Sequence, residues 1–202
     1  VSGDRLFIGG SSITAVSLAT GSVIEDWRGS QNINGGVYAM VATETTLFVG
    51  GTFAVSENGP PSLAALSVHD GTRVSTWAPQ LGSYQAGARP EVHSLVLSAS
   101  RDSLYVGGWF SSVNDKPAQN IAALFATGDG NLQPDWIEDR GNTRPSPITS
   151  LAVTDKAIFY GSSLSYSHHA GAMRLNGQSL SWIPTDARVH VVAASGDDVF
   201  IG

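Results

Sequence analysis

A chain of 202 residues is long enough to bury a core unaided, and its lack of cysteine excludes disulfides, thiol nucleophiles and thiolate metal sites together. Only 14% of the residues are charged, 42% are apolar and 23 are glycine, a balance that belongs to tightly turned β proteins and excludes a disordered or mainly helical chain. The formal net charge of −6, with 11 Lys and Arg spread along the sequence, excludes a basic surface for nucleic acid or an anionic membrane, and no apolar run approaches the ~18 residues of a membrane span.

The opening Val1-Ser2-Gly3-Asp4-Arg5 has no Met and no charged-then-apolar leader, so the chain is expected to be a stretch of a longer protein. The first predicted strand is Leu6-Phe7-Ile8-Gly9-Gly10, followed by a polar loop and a second strand, Ile13-Thr14-Ala15-Val16-Ser17-Leu18. Thr20-Gly21 then supplies the positive φ of a tight hairpin. Val23-Ile24-Glu25-Asp26-Trp27 reads as a third strand ending in Trp, and Val37-Tyr38-Ala39-Met40-Val41 as a fourth.

The same order recurs. The second round has Leu47-Phe48-Val49-Gly50-Gly51, Leu63 to Val68, the turn Asp70-Gly71, Val74 to Trp77 and Val92 to Leu97. The third has Leu104-Tyr105-Val106-Gly107-Gly108, Ile121 to Phe125, the turn Gly128-Asp129-Gly130, Leu132 to Trp136 and Ile148 to Val153. The fourth has Ile158-Phe159-Tyr160-Gly161-Ser162, Ala170 to Leu175, the turn Asn176-Gly177, Leu180 to Trp182 and Val189 to Ala193, and Val199-Phe200-Ile201-Gly202 begins a fifth. The five copies of the opening phrase lie 41, 57, 54 and 41 residues apart, close to the roughly 40–50 residues of a propeller repeat.

A small four-stranded antiparallel sheet cannot cover its own faces, whereas several packed radially cover one another and leave short edges. The pattern predicts an all-β fold, a β-propeller region of four-stranded antiparallel blades with about four blades present, in one region over 1–202. The repeats run approximately over 1–43, 44–100, 101–154 and 155–195, with 196–202 starting another blade. The strand at Val189 to Ala193 would complete the first blade, but Val199 to Ile201 would then duplicate Leu6 to Ile8, so a larger ring of five or more blades is expected. The Gly pair suits a place where a side chain would strike neighbouring backbone. One Trp per repeat, at 27, 77, 136 and 182, reads as an inter-blade wedge in preference to a ligand-stacking set.

The phrases Leu104-Tyr105-Val106-Gly107-Gly108, Trp109-Phe110-Ser111-Ser112-Val113-Asn114-Asp115-Lys116-Pro117-Ala118-Gln119-Asn120 and Gly128 to Trp136 resemble the delta-60-type β-propeller repeats of bacterial secreted proteins and the Rax2-like cortical-marker repeats of fungi. The resemblance covers most of the chain, is clearest over Leu47 to Ala78 and Leu104 to Trp136, and weakens over Ile158 to Trp182. It implies an extracellular or cell-surface propeller used for binding, adhesion or assembly, with no catalytic residue set.

Trp109 sits off the periodic Trp position and is followed by Phe110 where the second repeat has Thr52-Phe53, so Trp109, Phe110, Asn114 and Asp115 form the candidate binding loop. His168-His169 beside Tyr166 invites a metal reading, but adjacent residues of an extended chain point to opposite faces. His69, His93 and His190 lie on or beside strands and read as structural. Gly128-Asp129-Gly130-Asn131 with Asp135 resembles a calcium loop only loosely and reads as a hairpin turn. Glu138 and Asp139 with Asp135 supply carboxylates of the type a glycosidase needs, although neighbours in one loop are usually solvated.

No hydrolase elbow, zincin, phosphate-loop or dinucleotide motif is present, so no cofactor and no metal is expected. The expectation is a non-enzymatic scaffold. The inserted loops Thr52 to Ser62, Pro79 to Glu91, Ser111 to Asn120 and Ile137 to Pro147 would face a protein or carbohydrate partner, and deleting Ser111 to Asn120 would spare folding. The alternatives are a propeller-type enzyme, a quinoprotein dehydrogenase or glycoside hydrolase, and a self-assembling structural subunit.

Overall fold

A computed structural model describes residues 1–54, 62–137, 146–162, 169–183, 185, 188–196 and 198–202. Strands β1 (Arg5–Gly9) and β2 (Ile13–Ser17) pair antiparallel, and one short helical turn, α1 (Gly29–Asn32), leads into the next sheet. That sheet has the order β3 (Asn34–Ala42), β4 (Thr46–Ala54), β5 (Leu63–Ser67). After the short β6 (Leu81–Gly82) come β7 (Glu91–Leu97) and β8 (Ser103–Trp109), then the hairpin β9 (Ser112–Val113) and β10 (Lys116–Pro117), then β11 (Ile121–Phe125). Strands β7, β8 and β11 form a third sheet, while β6, β9 and β10 form a small separate one. A four-stranded sheet follows, β12 (Ile148–Val153), β13 (Ala157–Ser162), β14 (Ala170–Arg174) and β15 (Ser179–Ile183). Strands β16 (Val192–Ser195) and β17 (Asp198–Ile201) make a final pair.

The hydrogen-bonded sheets are offset by one strand from the sequence repeats. The run that closes each repeat is the first strand of the next sheet: β3 pairs with β4, β7 with β8 and β12 with β13. Likewise β16 pairs with β17 and not with β1. The predicted third strand of each repeat, the one ending in Trp, also changes. In three repeats it is a single bridge, Val16 to Val23, Leu66 to Arg73 and Leu124 to Leu132, and only β15 extends it into a full strand. The cause is a turn immediately after each bridge, in which the N–H of Trp27, Trp77 and Trp136 donates to the carbonyl of Ile24, Val74 and Gln133, each at 3.1 Å. The chain leaves the sheet plane there and carries its Trp towards the neighbouring sheet.

The core lies between sheets. Phe7, Trp27, Leu47, Val49 and Phe53 fill the space between the first and second sheets, and Phe48, Trp77, Tyr105, Trp136 and Tyr160 belong to a continuous cluster running through the second, third and fourth. Strand β3 packs beside β7, β7 beside β12 and β12 beside β16, so these four are the inner strands of the series. Their contacts are partly polar: the Ser94 hydroxyl accepts from the Leu151 N–H at 3.0 Å, and the Ser150 hydroxyl accepts from the Val192 N–H at 2.9 Å.

The Gly pairs do two jobs. The first glycine of the pair abuts the inner strand of the next sheet, where a methyl at Gly50 would strike Val92 and one at Gly107 would strike Ile148, and at Gly161, which Ser162 follows, a methyl would strike Val189 just ahead of β16. The second abuts its own inner strand: a methyl at Gly51 would overlap the Gly36 carbonyl oxygen, and one at Gly108 the Glu91 carbonyl oxygen.

The segments ending at Trp27, Trp77 and Trp136 are each seated on the hairpin of the following sheet. The Trp27 indole donates to the Val68 carbonyl at 3.1 Å, and the Trp77 indole donates to the Phe125 carbonyl at 2.9 Å. The next residue adds a backbone bond: Arg28 N–H to the Asp70 carbonyl at 2.8 Å, Ala78 N–H to the Asp129 carbonyl at 3.3 Å and Ile137 N–H to the Asn176 carbonyl at 2.6 Å. The accepting hairpins are shaped by a short polar side chain before each Gly, with Asp70, Asp129 and Asn176 accepting from the N–H two residues on. At Asp70 the Thr72 N–H, then the Ser67 and Thr72 hydroxyls, hold the carboxyl down at about 2. Between β7 and β8, the hydroxyls of Ser100, Ser103 and Ser98 likewise hold the Asp102 carboxyl below its ordinary range.

Candidate functional site

Register shifts between Val37 and Ala39, Val92 and Ser94, and Ile148 and Ser150 put a bulge at the same place in three inner strands. A bulge leaves one residue outside the ladder and re-aims its side chain. The bulged residues are Tyr38, His93 and Thr149. Tyr38 and His93, from adjacent sheets, stack with ring centroids 5.6 Å apart and planes 2° from parallel, and Tyr38 keeps 54% of its surface exposed.

Polar groups extend this pair in both directions. The Thr52 hydroxyl donates to the Tyr38 hydroxyl at 2.9 Å. The His93 Nε2 lies 3.1 Å from the Glu91 carboxylate. Glu91 is in turn the cross-strand partner of Trp109 at the end of β8, and the half-buried Trp109 packs against Tyr84 with centroids 4.6 Å apart. Tyr84, Trp109, Glu91, His93, Tyr38 and Thr52 therefore form one continuous row across two sheets. Thr52 and Trp109 hold the same place after their Gly pairs, which is why the row stays at one end of the strands. Aromatic faces flanked by a carboxylate, an imidazole and hydroxyls suit a ligand that is flat and apolar on one side and hydrogen-bonding at its rim.

The four residues expected to bind fare differently. Trp109 belongs to the row. Phe110 is wholly buried, a correction to its place in the candidate binding loop: its ring joins the inter-sheet core and its N–H donates to Asn120 Oδ1 at 3.0 Å. Asn114 is engaged internally, its side chain accepting from the Gln80 N–H at 2.7 Å and donating to Asn131 at 2.6 Å, and Asp115 is exposed beside it at the tip of the β9–β10 turn. Gly128 to Asn131 is a hairpin turn, seated under Trp77 and Pro79.

The loop itself is no passive rim. Val113, Ala118 and Asn120 are fully buried, and Asn120, at φ 69°, also donates to the Ser146 carbonyl at 3.1 Å. The expectation that deleting Ser111 to Asn120 spares folding is accordingly corrected: the segment carries core atoms and the bonds that end β8. Tyr166, His168, Glu138 and Asp139 lie outside the described residues, as do most of the Thr52 to Ser62 and Ile137 to Pro147 loops. Among the described residues no group of three or more His, Asp or Glu side chains converges on a metal position, and no helix is long and apolar enough to cross a membrane.

Sequence reasoning assigned His93 a structural role and passed over Tyr38, Tyr84 and Glu91. The available signal was positional: Tyr38, His93, Thr149 and His190 each follow a β-branched residue at the same point of successive repeats.

No protein-family model matches the chain, and no curated protein matches its sequence. Solved structures do match. The computationally designed Ika8 protein is similar over the whole chain with a TM-score of 0.66 at 16% identity, the chain covering 53% of it. The extracellular domain of BT4673 from B. thetaiotaomicron gives 0.65 at 14% identity with 25% of its length covered, and BamB from Moraxella catarrhalis gives 0.54 at 14% with 67% covered. These are propeller-like folds, and the class defined here is thus an all-β, propeller-like array of antiparallel sheets of two to four strands. The chain spans about half the length of the designed protein and a quarter of the BT4673 domain.

Proposed function

We propose that this chain is a non-enzymatic binding region of an extracellular or cell-surface β-propeller, and that its ligand is carbohydrate held along the row from Tyr84 to Thr52. The observation that carries the reading is the use to which the aromatics are put. The periodic residues Trp27, Trp77 and Trp136 are spent in sheet-to-sheet packing, whereas Tyr38 and Trp109 lie off that position and share an accessible row with Glu91 and His93. An exposed Tyr face stacks on a sugar ring while the carboxylate and hydroxyls take its rim. The likeness of Leu104 to Trp136 to delta-60-type and Rax2-like repeats supports a surface location, as does the similarity to an extracellular domain.

The test is co-sedimentation with chitin, cellulose and peptidoglycan. The chain is expected to pellet with at least one of them. The double variant Tyr38→Ala/Trp109→Ala should weaken that binding by at least about tenfold, equivalent to about 1.4 kcal/mol. Absence of binding to all three, or binding that survives the double variant, overturns the assignment.

A further inference from the structure

Two grooves between neighbouring sheets, equivalent by position in the repeat, are finished differently. Arg5, the first residue of β1, crosses to the hairpin of the second sheet, where its Nη1 donates to the Val68 carbonyl at 2.6 Å and to the His69 carbonyl. The first residue of β4 is Thr46, whose short side chain makes no bond to the next hairpin among the described residues. In place of that crossing stands a cavity of about 530 Å³, lined by Thr46, Val74, Thr76 and Trp77 on one side and by Ala126 to Asp129 on the other. Its volume is that of a small-ligand site.

The acceptors that Arg5 uses recur here unspent. Counted from the paired strands, Ala126 and Thr127 hold the places of Val68 and His69. The Trp77 indole donates to the Phe125 carbonyl, one residue earlier, and the Ala126 and Thr127 carbonyls receive no hydrogen bond among the described residues. Ala126 is 6% exposed, and an acceptor on so buried a residue is costly to leave unpaired. Asp129 is the one charged side chain in the lining among the described residues, and the formal net charge of −6 has the same sign. One sheet further on, Ser103 and Gln133 hold the places of Thr46 and Val74 and are bonded to each other at 2.7 Å. The second sheet has no such bond, and Val74 leaves an apolar wall.

We infer that this cavity binds the guanidinium of an arginine side chain carried by a protein partner, repeating in trans the contact that Arg5 makes in cis. The planar fork of donors suits two successive carbonyls and the Asp129 carboxylate, while Val74 and Trp77 flank the aliphatic stem. Thr46 lies at the opposite end of β4 from Thr52, so the site is separate from the row at Tyr38.

Amide-shift NMR titration of the intact chain with acetyl-arginine amide tests this. Saturable shifts are expected at Thr46, Thr127, Gly128 and the Trp77 indole N–H. Acetyl-citrulline amide, alike in shape but uncharged, should bind at least about tenfold more weakly. Thr46→Arg, which supplies the counterpart of Arg5, should lose the arginine shifts. Asp129→Asn, which keeps the turn that Asn176 forms in the fourth hairpin, should weaken binding several-fold. Tyr38→Ala/Trp109→Ala should leave arginine binding unchanged. Absence of saturable shifts, citrulline binding as tight as arginine binding, or affinity undiminished in both Thr46→Arg and Asp129→Asn overturns the inference.

Discussion

Gly51→Ala is expected to unfold the chain or to lower its melting temperature by many degrees, whereas Gly10→Ala, the same position of the first repeat, is expected to be nearly silent. A methyl at Gly51 overlaps the Gly36 carbonyl oxygen and approaches the Gly36 carbonyl carbon and Val37 Cα, all backbone of the paired strand β3. Backbone cannot rotate away as a side chain can, so relief requires parting β3 from β4 beside the Tyr38 bulge. Overpacking of a well-packed site costs about 1–3 kcal/mol and sometimes more. Among the described residues Gly10 has nothing within 4 Å, and none of them forms an inner strand paired to β1. Thermal unfolding of the two variants side by side checks the pair of outcomes, and equal effects would show that the glycine pattern reflects something other than close approach.

Trp77→Ala should be comparably damaging for a different reason. The ring is 2% exposed, packs against Phe48 at a centroid distance of 4.9 Å and donates to the Phe125 carbonyl. Truncating such a side chain costs about 3–5 kcal/mol, which for a domain of this size is a fall of roughly 6–20 °C in melting temperature. Trp77→Phe should recover part of the packing and leave the Phe125 carbonyl without its donor. Trp136→Phe should be milder than Trp77→Phe, since the Trp136 indole N–H has no hydrogen-bond partner among the described residues. Differential scanning calorimetry of the three variants gives the order directly.

The sequence made the repeat visible because its strongest signals are local. A Gly preceded by Asp, Asn or Thr turns the chain, an LFVGG phrase makes a strand, and a Trp recurs once per round. Sheet membership is not local. Nothing within Val92 to Leu97 states that it pairs forward with Leu104 to Trp109 and not backward with the strand before it, so the sheets emerged one strand out of phase with the repeats. The bulges were hidden for the same reason, since a register shift belongs to a pair of strands. That concealed the row at Tyr38 and His93. Phe110 reads as a loop residue because its loop is polar on average, yet the loop folds back with β9 paired to Leu81 and Gly82 and buries its few apolar residues. Trp109 stands off the repeat in the sequence itself, whereas the burial of its neighbours is decided by what their loop packs on.

The central claim is that the segments ending at Trp27, Trp77 and Trp136 each lock one sheet to the next through the hairpin beyond it. Amide hydrogen exchange read residue by residue by NMR tests this most directly. The N–H groups of Arg28, Ala78 and Ile137, all in irregular segments between sheets, are predicted to be protected to the level of the strands they join. In Trp77→Ala, protection should fall at Ala78 and at the Asp129 to Asn131 turn while Arg28 keeps its own. Fast exchange at all three in the wild type, or an Ala78 amide unaffected by loss of the Trp77 ring, would contradict the account.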